Sequence, residues 1–453
     1  MIAEHSFLSL FGLSAKQILG DSGSSSASSS NSISSTNNST NNNAAKAVSA
    51  NNVLTQTVAT NSNPVVKIIR PPRLAAYAAA DFTKLSAEKR ARVAVTNAFK
   101  ESFFKMTRQY QVFGIVGYGG NGVVLSAKER LPEGSSLSVA IKIIYRRTLA
   151  DSSDSEDIGG TTDERVPAEI SALQCLNRSC KSSSVLKYLD HWKDAKHYYL
   201  VTQLFGSNWL KEFPDFKLPR LEFQSVSHSK VVRTHTLAVS LGACDLWAWS
   251  VAHRTHVQRT SNTTLLPLTP IKHIVRETAK ALNAIHKSGF YHGDVKVENI
   301  LVEYPQAPGS NKTINGSNCP NVMLSDYGHT RAAEKGIKRY GTQEISPPEF
   351  IEGSPFLGTV HLDGRRSDVF ALGMVAFVLL SDGGDIPDAC RSAERGSLDY
   401  QSLCANGNEC FPFNDKEIEN MPDNALDLLC RMCAMDPAKR PTLDQVLSHQ
   451  WLQ

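Results

Sequence analysis

The chain has 453 residues, 41% of them hydrophobic and 20% charged, which is enough apolar material to bury a large core and too much for a wholly disordered protein. Its 48 lysines and arginines against 44 aspartates and glutamates leave +4, unevenly placed: about 0 over residues 1–64, +7 over 65–110 and −3 beyond. That distribution argues against a nucleic-acid-binding surface across the whole protein, although the 65–110 stretch has the charge to meet an acidic partner or an anionic membrane if it is not simply a solvated helix face.

In chain order, the apolar stretch Phe7 to Leu13 is short, follows Glu4 rather than basic residues and leads into no clear cleavage site, so no signal peptide is expected. From Asp21 to about Asn63, Ser, Asn, Thr and Ala dominate, a composition that cannot offset backbone ordering entropy. Residues 1–64 are therefore expected to be a disordered N-terminus. Residues 65–110 form a basic segment in which Asp81 to Arg108 lacks Gly and Pro. Phe82, Leu85, Val95, Phe99, Phe103 and Met106 recur there at helical steps, predicting an amphipathic helix packed on the core that follows.

From Gln111 the texture turns to short β-like runs, Val112 to Val116, Gly122 to Ala127, Ser138 to Ile144 and Tyr198 to Leu204, with a helical stretch at Glu169 to Leu176. After Pro270 it is mainly helical: Ile271 to Ser288, Ser367 to Leu380, Asn424 to Met435 and Leu443 to His449. A strand-rich half followed by a helix-rich half predicts an α+β chain of two lobes with a cleft between them. The nine cysteines are scattered and odd in number, as reduced intracellular thiols are; Cys430 and Cys433 form a CxxC inside an apolar helical run and read as core packing, not a metal site. No run approaches the roughly 18 consecutive apolar residues that cross a bilayer. The expected location is intracellular, cytoplasmic and/or nuclear.

The run Gly117-Tyr118-Gly119-Gly120-Asn121-Gly122-Val123-Val124 lies between two β-like runs, and glycines allow backbone to close over phosphate oxygens there. A dinucleotide fold would need a helix next, whereas Val123 to Leu125 continue as a strand. Val139-Ala140-Ile141-Lys142 then puts one lysine in an apolar strand, where an ammonium needs a partner, and Glu169 is the natural candidate. Tyr291-His292-Gly293-Asp294-Val295-Lys296-Val297-Glu298-Asn299-Ile300-Leu301, followed by Asp326-Tyr327-Gly328, has the HxDxKxxxN and DxG order of the eukaryotic protein kinase superfamily, which the chain closely resembles. Gly341-Thr342, Pro347-Pro348-Glu349, Ser367 to Gly373 and Asp436 to Thr442 extend the resemblance over roughly Phe113 to Leu452.

The resemblance implies a two-lobed kinase fold at 111–452, with a β-rich N-lobe containing one main helix (about 111–202), a hinge (203–206), an insertion (207–241) and a helical C-lobe (242–452). It implies Mg·ATP as cofactor, with Mn²⁺ as a substitute, and a protein substrate with a Ser/Thr acceptor. Asp294 would orient the acceptor hydroxyl and take its proton, Lys296 would steady the phosphoryl group, and Asn299 and Asp326 would hold the metal ions. Lys142 with Glu169 would bind the α- and β-phosphates beneath Gly117, Gly119 and Gly122. Val124, Ala140 and Leu301 would sandwich adenine, Thr202 would be the gatekeeper, and the backbone of Gln203 and Phe205 would meet the purine edge. Glu349 with Arg440 would be a buried ion pair, and Asp368 would brace the catalytic loop.

Gly293 stands where the family usually has arginine, which lowers the expectation of a phosphate-switched activation segment. His329 stands where an apolar residue is usual. Two insertions, Asp151 to Asp163 and Ser207 to about Leu241, interrupt the pattern, and Leu221, Phe223, Val226, Val231 and Val232 predict an extra hairpin in the second. Regulatory or docking partners are expected at 1–110 or at these insertions. Three rivals stand against an active protein kinase: a pseudokinase scaffold that binds ATP without efficient turnover, a small-molecule phosphotransferase of similar fold, and an ATP-binding regulator acting through residues 1–110.

Overall fold

The computed structural model describes Phe82 and residues 85–132, 134–145, 166–206, 220–227, 230–239, 244–304, 319–336, 341–342, 345–350, 363–390 and 411–453. Residues 1–64 and the Asp151–Asp163 insertion lie outside that set. The first helix, α1 (Ala87–Glu101), begins where the Ser86 side chain accepts the Lys89 N–H. It leads through a wide π-helical turn at Lys105–Gln109, closed by Tyr110 N–H on Lys105 O, into β1 (Tyr110–Tyr118).

Strands β2 (Gly122–Arg130) and β3 (Ser136–Tyr145), helix α2 (Ala168–Ser179), and strands β4 (Tyr188–Lys193) and β5 (His197–Gln203) follow. Of these, β4 carries no alternating apolar pattern in Tyr-Leu-Asp-His-Trp-Lys and was not legible from sequence. The hairpin expected in the second insertion forms as β6 (Arg220–Ser227) and β7 (Lys230–Val239). Its place is the finding: β7 pairs in parallel with β1, Gly114 opposite Ala238 and Ile115 opposite Val239, giving one sheet in the order β4-β5-β3-β2-β1-β7-β6.

Register divides this sheet into two faces, because opposed residues share a face. Val124, Lys142 and Leu200 align on one, as do Ser126, Ala140 and Thr202; this is the cleft face. On the other, Val123, Ile143 and Tyr199 align, as do Leu125, Ile141 and Val201, and all six are buried. Helix α1 supplies the cover, contacting β1, β2, β3 and β6. Its buried side is Ala87, Ala91, Ala94, Val95, Ala98 and Phe99. Alanines at helical spacing let the helix lie close to a sheet rich in branched side chains.

The expected apolar face is thus only partly right. Val95, Phe99 and Met106 are buried, but Phe103 is 55% exposed, because α1 ends at Glu101, two residues before it.

Polar and aromatic contacts fasten the end of this segment to the β4–β5 hairpin. The Tyr110, Trp192 and Tyr199 rings stack, with centroids 5.6 and 4.5 Å apart and planes within 8°. Lys105 Nζ lies 5.1 Å from the Trp192 ring centre and 3.0 Å from Asp190 Oδ2, which also accepts the Tyr110 hydroxyl at 3.0 Å. Ser102 accepts Trp192 Nε1–H at 3.1 Å and donates to Asp194 Oδ2 at 3.1 Å.

The C-terminal half contains β8 (Cys244–Asp245), α3 (Leu246–Ser261), α4 (Leu268–Lys287), β9 (Phe290–Tyr291), β10 (Ile300–Glu303), β11 (Asn321–Leu324), β12 (Arg331–Ala332), α5 (Gly364–Leu380), α6 (Asp423–Met432) and α7 (Leu443–Leu447). Helix α5 is apolar on all sides and buried along almost its whole length, as the central helix of a lobe must be. Cys433 is buried with its thiol 3.9 Å from Phe370 O, and no group of three or more His, Cys, Asp or Glu among the described residues could hold a metal ion. No described helix is long and apolar enough to cross a membrane. The α+β, two-lobed arrangement predicted from the sequence is the one observed.

Enlarging Ala94→Leu wedges α1 from the sheet, at a cost of roughly 1–3 kcal/mol for an overpacked site. Thermal unfolding should show the loss, whereas Phe104→Ser, at a side chain 71% exposed, should leave the midpoint unchanged.

Candidate active site

Lys142 reaches out of β3 on the cleft face, and its Nζ lies 2.8 Å from Glu169 Oε1 of α2 and 3.0 Å from Asp326 Oδ1. Burial disfavours the ammonium, yet the two carboxylates outweigh it and hold Lys142 above the usual lysine range. Burial likewise works against an ionised Asp326, and Lys142 overturns it, so that carboxyl stays charged well below the usual range. Asp326 adopts φ 58°, a left-handed conformation rare for a non-glycine residue and one that recurs at functional sites.

Across the cleft, the buried Asp294 is held from three directions. Asn299 Nδ2–H donates to Asp294 Oδ2 at 2.9 Å and to its carbonyl at 2.8 Å. The Thr342 hydroxyl donates to Oδ1 at 2.6 Å and accepts Lys296 Nζ–H at 2.8 Å, while Lys296 Nζ is 3.3 Å from Oδ2. Asp294, Lys296, Asn299 and Thr342 therefore form one hydrogen-bonded unit, and Lys142, Glu169 and Asp326 a second. An added Cβ at Gly341 would stand 2.5 Å from Asp294 Oδ1, so glycine is what lets the segment carrying Thr342 close over the carboxylate.

The loop bearing Asp294 hangs from α5. Asp368 is fully buried and accepts His292 N–H at 2.7 Å, Gly293 N–H at 2.9 Å and a hydrogen bond from His286 Nε2 at 2.9 Å. His286 was not legible from sequence, since nothing in its neighbourhood announces the contact. Gly293 has φ +80°, and an added Cβ would stand 2.5 Å from His329 O. Both the positive φ and the close approach of His329 O suit glycine at this position. His329 is kept neutral-leaning by burial despite the nearby Asp294 and Asp326. Below the loop, Arg440 makes two 2.7 Å bonds to the Glu349 carboxylate and stacks 4.8 Å over Phe370, with Ser367 donating to the same carboxylate at 2.8 Å.

The remaining sequence candidates surround the cleft. Gly117 and Gly122 sit at the facing ends of β1 and β2, and Gly119 N–H closes the turn between them on Gly122 O at 2.9 Å. Val124 and Ala140 lie on the cleft face, Leu301 on β10 below, and Thr202 opposite Ala140 at the end of β5. Gln203 ends β5, its side chain 3.1 Å from Met323 Sδ; Phe205 packs on the core, and Gly206 N–H donates to Glu303 at 3.1 Å. The Glu303 contact was not foreseen. Asp326 and Asn299 each carry a side-chain oxygen, too few to cage an ion alone, and a divalent cation held by them would complete its shell with phosphate oxygens and water.

Residues 220–452, just over half the chain, match the protein kinase domain. The chain is 27% identical over 192 residues to MAP kinase-interacting serine/threonine-protein kinase 2 of Xenopus laevis, covering 40% of each protein. It is 29% identical over 185 residues to serine/threonine-protein kinase PKZ1 of Phytophthora infestans, covering 40% of this chain and 43% of that one. Against mouse serine/threonine-protein kinase DCLK3 the identity is 26% over 298 residues, 66% of this chain and 33% of that one. The matches thus span less than half the length of these relatives. The chain belongs to the protein kinase family, whose domain generally uses ATP and a divalent metal.

Asp245 caps α3 by accepting Ala248 N–H at 2.7 Å, and burial, with Glu298 acting the same way, pushes its carboxyl up to about 7. The folded carboxyl therefore keeps its proton after the unfolded one, near 3.9, has lost it. Stability present below about pH 4 is lost as pH rises to about 7, and stays lost above. Asparagine caps equally well but does not titrate. Asp245→Asn should melt above wild type near pH 8, with the gap closing toward pH 4 in a pH series of thermal melts.

Proposed function

We propose that the chain is an active serine/threonine protein kinase that transfers the γ-phosphoryl group of Mg·ATP to a protein hydroxyl. The observation that carries this reading is the pair of assembled units: Lys142 bonded at once to Glu169 and Asp326, facing Asp294 already oriented by Asn299 and Thr342. A scaffold has no use for five ionic or amide side chains held in mutual register, so the pseudokinase alternative has less support. The segment from Gly341 to Glu349, tied to Asp294 through Thr342 and to α5 through Glu349 and Ser367, favours a protein acceptor over a small molecule.

In this reading the glycine-rich turn covers the phosphates and Lys142 binds the α- and β-phosphates. Asp326 and Asn299 hold Mg²⁺, with Mn²⁺ as a substitute. The bound metal supplies charge neutralisation at the phosphates. Asp294 aligns the acceptor Ser/Thr oxygen and accepts its hydrogen bond. As that oxygen bonds to the γ-phosphorus, the bond to the β–γ bridging oxygen breaks, ADP leaves with that electron pair, and the hydroxyl proton passes to Asp294. Lys296, kept charged by Asp294 against the effect of burial, neutralises the transferring group. The serine/threonine preference rests on Lys296 two residues after Asp294 and on the printed names of the relatives. An intracellular location and a partner at residues 1–110 or the insertions belong to the same proposal.

Incubation with labelled ATP, Mg²⁺ and generic protein substrates tests it. Wild type should label serine and threonine, and Asp294→Asn and Lys142→Met should each lower labelling by about 10²-fold or more, as loss of a general base or a phosphate ligand does. Equal labelling by all three, or none from a wild type that binds Mg·ATP, would overturn the reading. At the hinge, Thr202→Met should weaken bulky ATP-site ligands while largely sparing ATP, as competition binding would show; equal effects on both would move the hinge elsewhere.

A further inference from the structure

The second residue of the glycine-rich turn is not in the cleft. Tyr118 pairs across the ladder with Val123 and so belongs to the covered face of the sheet, where it is only 6% exposed although both neighbours are glycines. Helix α1 covers that face and contacts β1 and β2; burial raises the phenol well above its usual range, and the Glu88 carboxylate adds to this while Arg92 opposes it. Glu88 and Arg92 are themselves joined, at 2.9 and 2.6 Å from Arg92 Nε and Nη2. The other end of the segment is fixed to the β4–β5 hairpin through Ser102, Lys105 and the Tyr110–Trp192–Tyr199 stack. Between the two ends, Ala91, Ala94, Val95 and Ala98 are essentially inaccessible. The helix is thus anchored at one end and covers the face of β1 and β2 on which Tyr118 lies, next to the phosphate-covering turn.

We propose that α1 is a strut for the glycine-rich turn and that Tyr118 is the positioning residue through which it sets how closely that turn covers the phosphates of a bound nucleoside triphosphate. Flexible glycines need such an external hold, because Gly119 and Gly120 supply no side chain to fix the turn from within. The tie acts on the phosphates and not on the base, which rests on Val124, Ala140 and Leu301. This inference rests on the kinase reading of the cleft.

Its test is the ratio of two affinities. Calorimetric binding of Mg·ATP and of adenosine is measured on the full chain for wild type, Tyr118→Ala, Tyr118→Leu, which keeps a buried apolar side chain if the alanine variant fails to fold, and Trp192→Leu at the far anchor. Each folded variant should lose about tenfold in Mg·ATP affinity while adenosine affinity changes by less than about twofold. Phe104→Ser, exposed and outside the tie, should change neither. Parallel losses for both ligands would mark a purely structural helix and overturn the proposal, as would unchanged Mg·ATP affinity in Tyr118→Leu. A wild type that binds adenosine but not Mg·ATP would overturn the kinase reading and the strut with it.

Discussion

One ammonium organises the N-terminal half. Lys142 stands in a strand whose neighbouring positions, Val139 to Ile141 and Ile143 to Tyr145, are apolar or aromatic, and a charge there is tolerated only because Glu169 and Asp326 converge on it. Those carboxylates come from α2 and from the turn after β11, so satisfying one lysine fixes a helix, a strand and a loop of the C-terminal half against one another. The same requirement explains the unusual φ of Asp326: its backbone strain is offset by the charge pairing it permits. Coulomb attraction and desolvation pull in opposite directions at all three groups, and the geometry is what decides that the charged forms of Lys142 and Asp326 win.

The C-terminal half uses the inverse arrangement, a buried anion satisfied by backbone. Asp368 takes two consecutive N–H groups from the loop that carries Asp294, and so sets the loop's height above α5. Two consecutive donors aimed at one carboxylate demand an unusual backbone path, and Gly293 provides it at φ +80°. His329 O then fills the space where a side chain at 293 would have been. Glycine at 293 is therefore coupled to the local packing of the segment after Asp326, and the Thr342 hydroxyl donates to Asp294 and accepts from Lys296.

Much of this was legible through the resemblance to protein kinases. The Asp294 to Asn299 run, Asp326, Lys142 and the Glu349–Arg440 pair are read from motifs that recur here in the family's order, and only the need of Lys142 for a partner follows from the residues alone. What was not legible follows from weaker signals. Strand β4 is edge-like and polar, so its alternation is broken, and its place shows only when Trp192 and Tyr199 stack. The buried side of α1 is mostly alanine, which hydrophobic periodicity weighs lightly; Ala87, Ala91, Ala94 and Ala98 at four-, three- and four-residue steps were the available sign. Phe103 was misplaced for the complementary reason, that a large side chain dominates a periodicity which α1 does not carry past Glu101.

The second insertion changes the mechanics of the sheet. In a five-stranded sheet ending at β1, one side of the glycine-rich hairpin is a free edge with unpaired backbone groups. Here β7 pairs with Gly114 and Ile115, in the middle of β1, and α1 touches β6 as well as β1. A contact between residues more than a hundred positions apart carries a loop-closure cost that grows only slowly with length, so a long insertion can return to the sheet without great penalty. The return removes freedom from β1 at its middle while α1 holds Tyr118 at its end. A turn held from both sides loses less conformational entropy when it closes over phosphates, which favours binding; the same restraint resists the opening that product release requires. The glycines keep the remaining freedom local to Gly119–Gly122, where the backbone bends without disturbing either restraint.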